Sequence, residues 1–95
     1  MSDELPNVEL LESIHSFPCV FRFKVIGAAS ENFAERVIEA VCAELEEEIE
    51  PSFTTRTTSG GRHVSVTVEP EMQNADHVIA VYARLRVLEG LVMLM

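Results

Sequence analysis

At 95 residues, 47% hydrophobic and 24% charged, the chain has the size and composition of one small globular domain with a modest core. Sixteen acidic residues against seven basic ones leave a net charge of -9, which argues against general nucleic-acid binding and against an anionic membrane surface, both of which reward clustered Lys and Arg. No apolar run approaches the roughly 18 residues of a membrane-spanning helix. The first residues carry Asp3, Glu4, Glu9 and Glu12 and no basic residue, unlike a secretory signal, so the expected compartment is the cytoplasm. Cys19 and Cys42 form no CxxC pair and read as reduced thiols in or near the core.

Residues 1–16 read as an N-terminal tail with a short helix, Val8 to Ile14, whose Leu10, Leu11 and Ile14 alternate with glutamates. Residues 17–95 read as a single domain. Its first strand is expected from Cys19 to Ile26. Phe21, Phe23 and Val25 face the core, Arg22 and Lys24 face the other way, and Gly27 breaks the strand. Ser30 is the expected N-cap of a helix from Glu31 to about Glu48, in which Phe33, Val37, Val41 and Leu45 form an apolar stripe.

Phe53 to Pro70 reads as a hairpin, two β-rich runs around Gly60-Gly61, with a two-residue turn needing positive φ at both glycines. That register puts Phe53, Thr55, Thr57, Val64, Val66 and Val68 on one buried face. Thr54, Arg56, Thr58, His63, Ser65 and Thr67 take the open one. Asn74 then caps a second helix with Val78, Val81, Tyr82 and Leu85 at core spacing. Gly90 ends it, and Leu91 to Met95 is a short apolar last strand. Strand, helix, strand, strand, helix, strand is the order of an α+β ferredoxin-like sandwich: a four-stranded antiparallel sheet with two helices on one face, the first and third strands central.

Charge is segregated along this order. Segments 19–30 and 52–68 contain no Asp or Glu, whereas the helices and tail hold most of the acids. The open sheet face is therefore expected to be mildly positive, with Arg22, Lys24, Arg56 and His63 forming a docking face for an acidic partner. The glutamates 44, 46, 47, 48 and 50 read as a solvated acidic helix end, because consecutive helical positions diverge and no calcium-loop spacing is present. His15, His63 and His77 share no metal spacing, and no nucleophile–base pair is legible, so neither a metal, a cofactor nor a catalytic residue is assigned and the chain is not read as an enzyme. The open-face positions of the third strand, His63, Ser65 and Thr67, lack the base-stacking aromatics of RNA-recognition domains. The loop after the first strand has neither the Arg of acylphosphatases nor the CxxC of metal carriers.

Phe17-Pro18, Phe21-x-x-Lys24-Val25-Ile26-Gly27, the strand Gly61-x-His63-Val64-Ser65-Val66-Thr67-Val68, Tyr82-x-x-Leu85 and Val92-Met93-Leu94-Met95 together resemble the YbeD-like family of small bacterial proteins of uncharacterised function. The resemblance covers about four-fifths of the chain and is most specific in the third strand. It implies the ferredoxin-like fold and a likeness to ACT domains, regulatory modules that bind amino acids, usually across a dimer interface. In such modules the loop after the first strand and the start of the first helix contribute to the ligand site. By that likeness Gly27, Ala28, Ser30 and Asn32 are the ligand-binding residues, for a small carboxylate effector held at a helix N-terminus. The expected function is a non-enzymatic regulatory module for such a metabolite, with an adaptor for an acidic protein as the alternative. Self-association as a homodimer is expected through the apolar edge Leu91–Met95.

Overall fold

A computed structural model describes residues 7–45 and 50–95. The N-terminal helix α1, Val8–Ile14, is capped by Asn7, whose Oδ1 accepts from Glu9 N at 2.7 Å and Leu10 N at 3.3 Å. It buries Leu11 and packs on the last helix, so this part of the expected tail belongs to the fold.

The expected first strand is two. Strand β1, Cys19–Val20, and strand β2, Phe23–Ala28, are separated at Phe21-Arg22. Opposite the break stands the buried Pro70, which has no N–H to give a ladder, while its carbonyl accepts from Phe21 N at 3.0 Å. Beyond it β1 pairs with a further short strand, β5, Glu71–Met72, as a separate two-stranded sheet. Gly27 does not break β2. It pairs with Val64 on one side and Leu91 on the other, at a register shift. The ring of Phe33 lies on it so closely that a Cβ there would stand 2.3 Å from Phe33 Cζ.

Strands β3, Ser52–Thr57, and β4, His63–Glu69, form the hairpin, and β6, Leu91–Leu94, completes a sheet of order β3-β4-β2-β6 with the first and third main strands in the centre, as the apolar pattern requires. The hairpin register is the expected one: Phe53 opposite Val68, Thr55 opposite Val66, Thr57 opposite Val64. The turn differs. The connection runs from Thr58 to Arg62, and of the two glycines only Gly61 has positive φ, +73°. Thr58 closes it: its carbonyl accepts Gly61 N at 2.8 Å and its Oγ1 accepts His63 N at 3.3 Å, so one left-handed residue suffices. Burial also differs. Val64, Val66 and Val68 are buried, but Phe53, Thr55 and Thr57 are exposed, because the helical layer packs over β2 and β4 and leaves the edge strand uncovered.

Helix α2 is shorter than expected, Phe33–Cys42, and its N-cap is Asn32 rather than Ser30. Glu31 and Asn32 both take left-handed φ, near +54° and +57°, and Ser30 contributes its carbonyl, not its side chain, to Phe33 N at 3.2 Å. The last turn tightens, with Glu44 N donating to Val41 O and Leu45 N to Cys42 O. Glu46, Glu47 and Glu48 lie outside the described residues. Helix α3, Ala75–Leu85, is capped by Asn74, whose Oδ1 accepts His77 N at 2.8 Å, as its sequence predicts. It ends at Leu85, and Gly90, φ +91°, serves the turn into β6 instead of the helix terminus. The core joins both layers: Phe23, Val25, Val66 and Val68 of the sheet meet Phe33, Val37, Val41, Val78, Val81 and Leu85 of the helices. Phe21, Phe23 and Tyr82 pack as an aromatic group with ring centroids 4.9 Å (Phe21–Phe23) and 5.0 Å (Phe23–Tyr82) apart.

Candidate functional site

The sheet face turned away from the helices carries one compact set of side chains, fixed by strand alternation and register. Lys24 stands opposite Thr67, and Thr67 opposite Thr54; Ile26 stands opposite Ser65, and Ser65 opposite Arg56; Ala28 stands opposite His63. On the other side of β2, Met93 faces Ile26, and Met95 exchanges both backbone hydrogen bonds with Lys24, 3.2 and 2.8 Å. Three of the four expected docking residues, Lys24, Arg56 and His63, thus lie on adjacent strands of one face, in a field of Thr and Ser. The fourth, Arg22, sits in the break before β2 and turns to Glu69 at 3.3 Å. Its side chain is 71% exposed, so this pair adds little to stability.

Glu69 is the one acidic residue within the four strands of this sheet. Among the described residues Lys24, Arg56 and Arg62 have no carboxylate partner. The helical layer holds the acids instead, including Glu35 and Glu39 on α2 and Asp76 on α3, and there Glu44 is bonded to Arg84. Not legible in the sequence was the apolar border of the face, Ile26 with Met93 and Met95, because it depends on how β6 registers against β2. An alternation count across that pair carries the signal once the bulge is known.

The loop expected to bind a ligand lies at the other end of β2, between Gly27 and Asn32. The space that Gly27 leaves above β2 is filled by Phe33, over whose ring the Arg36 guanidinium lies at 5.4 Å. Arg36 in turn donates to the carbonyls of Glu31 and Glu89, each at 3.0 Å, tying the loop to the turn before β6. Ser30 and Asn32 are exposed, Ala28 is half-buried at the strand end, and Asn32 makes no side-chain cap bond. The histidines serve three separate places: the His15 ring packs against Phe21, tilted, at 5.0 Å between centroids, His77 Nε2 meets the Glu44 carbonyl, and His63 stands on the open face. Both thiols are free. Burial, then the nearby Glu50 charge, raises that of Cys42, and burial raises the phenol of Tyr82. No helix among the described residues is long and apolar enough to cross a membrane.

The model of the family described as "Protein of unknown function (DUF493)" matches residues 12–95. The chain belongs to the DUF493 family. The YbeD-like resemblance therefore holds. This DUF493 protein is 38% identical over 74 residues to a UPF0250 protein of Shewanella amazonensis, covering 78% of this chain and 82% of that one. It is 34% identical over 79 residues to a UPF0250 protein of Shewanella sediminis, covering 83% and 88%. Its fold matches the solution structure of protein HP0495 from H. pylori, with a TM-score of 0.59 over 99% of this chain and 91% of that one. At 14% identity that likeness concerns the fold alone.

Proposed function

We propose that this DUF493 protein is a non-enzymatic docking module that receives an acidic protein surface on the open face of its sheet. The observation that carries the reading is the register that puts Lys24, Arg56 and His63 on one face of β2, β3 and β4, on a sheet whose sole acid, Glu69, is taken up by Arg22. The net charge of -9 does not oppose this. At 0.1 M salt the screening length is about 10 Å, so an incoming partner feels the exposed charges nearest to it most strongly. A carboxylate-metabolite site over Gly27–Asn32 has less support, since Phe33 occupies the space beside Gly27.

The test is binding of poly-L-glutamate at 0.1 M salt. The variant Lys24→Glu/Arg56→Glu is expected to bind at least tenfold more weakly while its unfolding curve stays close to that of the unaltered protein, both sites being exposed. Equal binding by both proteins contradicts the reading.

A second reading concerns assembly and rests on β6. The segment Leu91–Met95 contains no charged residue, Val92, Met93 and Met95 are 58, 49 and 49% exposed, and β6 is an edge of the sheet. Since Met95 directs its N–H and C=O to Lys24, those of Leu94 face outward. An uncharged edge can pair with its own two-fold copy without opposing like charges, and we propose a homodimer formed there.

A further inference from the structure

We infer that the acidic partner enters as an added strand along the free edge of β3; the inference rests on the docking reading above and specifies its geometry. Three observations converge on that edge. First, β3 is regular over all six residues, paired with β4 without a bulge and, among the described residues, with no strand on its other side. It has no proline, and Arg56 is its single charged residue, so an edge usually blunted by proline or by charge stays open except to a basic strand. Second, its free backbone groups are set. Thr58 N donates to His63 O at 2.9 Å, so by ladder alternation Arg56 and Thr54 bond to β4, while the N–H and C=O of Phe53, Thr55 and Thr57 point outward. Third, both faces beside that edge are open: every residue of β3 is exposed, including Phe53 at 40% on the helix side, where the helical layer does not reach.

These facts set the chemistry of the incoming strand. Its side chains alternate between the two faces. On the open face it lies beside Thr54 and Arg56, with Arg62 at the hairpin end, in a segment free of Asp and Glu from residue 52 to residue 68. Acidic side chains suit that face. On the helix side it lies beside Phe53, Thr55 and Thr57, where apolar side chains cover the exposed ring. The partner is thus an extended segment of alternating acidic and apolar residues, held by main-chain bonds and selected by its charges. A second copy of the chain fits this edge poorly, because pairing β3 with β3 puts two Arg56 side chains on one face of one strand pair.

The test uses the full chain and a blocked hexapeptide of alternating Glu and Val, followed by amide hydrogen exchange. Slowed exchange at Phe53, Thr55 and Thr57 is expected on binding. Thr55→Pro removes only an outward N–H and leaves the β3–β4 bonds in place, so it should weaken binding at least tenfold. Arg56→Glu should exchange preference for the Glu-Val peptide for a Lys-Val one. If the peptide perturbs Lys24, Arg56 and His63 but leaves the three outward amides exchanging as before, strand addition is wrong and the docking face stands. If the peptide does not bind at all, both fail. Should Thr55→Pro not fold, the exchange pattern of the unaltered protein decides.

Discussion

Gly27 shows how much a single residue can mean that its letter does not say. In sequence it reads as a strand breaker and, through the ACT-like resemblance, as an opening for a ligand. In the fold it continues β2 and makes room for the Phe33 ring, over which the Arg36 guanidinium lies. Nothing local announces this, because the ring comes from the helix and its position depends on the path of the intervening loop. A Cβ at Gly27 stands 2.3 to 2.6 Å from three ring atoms, so the ring must move. Gly27→Ala is therefore expected to destabilise by about 1–3 kcal/mol, as overpacking does. In a domain of this size each kcal/mol lowers the melting temperature by roughly 4–8 °C. Phe33→Leu in the Gly27→Ala background should cost less than the sum of the two single changes. Additive effects in a denaturant series would show that the contact is not what fixes glycine here.

At the scale of elements, the parts that depend on parity were legible and the parts that depend on coverage were not. The hairpin register follows from alternation, since a slip by one residue would expose Val64, Val66 and Val68 together. The exposure of Phe53, Thr55 and Thr57 does not follow from alternation, because it depends on how far the helical layer reaches across the sheet. The break at Phe21-Arg22 was hidden for a related reason: Pro70, distant in sequence, stands opposite it. The two edges are now distinct. β3 carries Arg56 and hydroxyl side chains, whereas β6 is uncharged and apolar. Self-pairing is therefore proposed for β6, and Val92→Lys is expected to convert the proposed dimer to monomer in sedimentation equilibrium. Thr55→Pro on the opposite edge should leave the dimer intact. A protein that is already monomeric at millimolar concentration would end the homodimer proposal, and a dimer that survives Val92→Lys would place the interface elsewhere.

Across the whole molecule, topology and charge segregation were both readable from the order of elements and the acid-free segments 19–30 and 52–68. The candidate ligand loop was readable only through resemblance, and the docking face only as a list of basic residues. Register made that list a surface: Lys24, Arg56 and His63 share one face, while Arg22 is drawn to Glu69 at its border. This face, rather than the loop at Gly27 or the acidic helical layer, is proposed to meet the partner. Amide chemical-shift mapping with poly-L-glutamate at 0.1 M salt is the decisive measurement. Shifts are expected to cluster at Lys24, Thr54, Arg56, His63, Ser65 and Thr67. Shifts confined to residues 27–33 or to α2 and α3, or none at all, would contradict it.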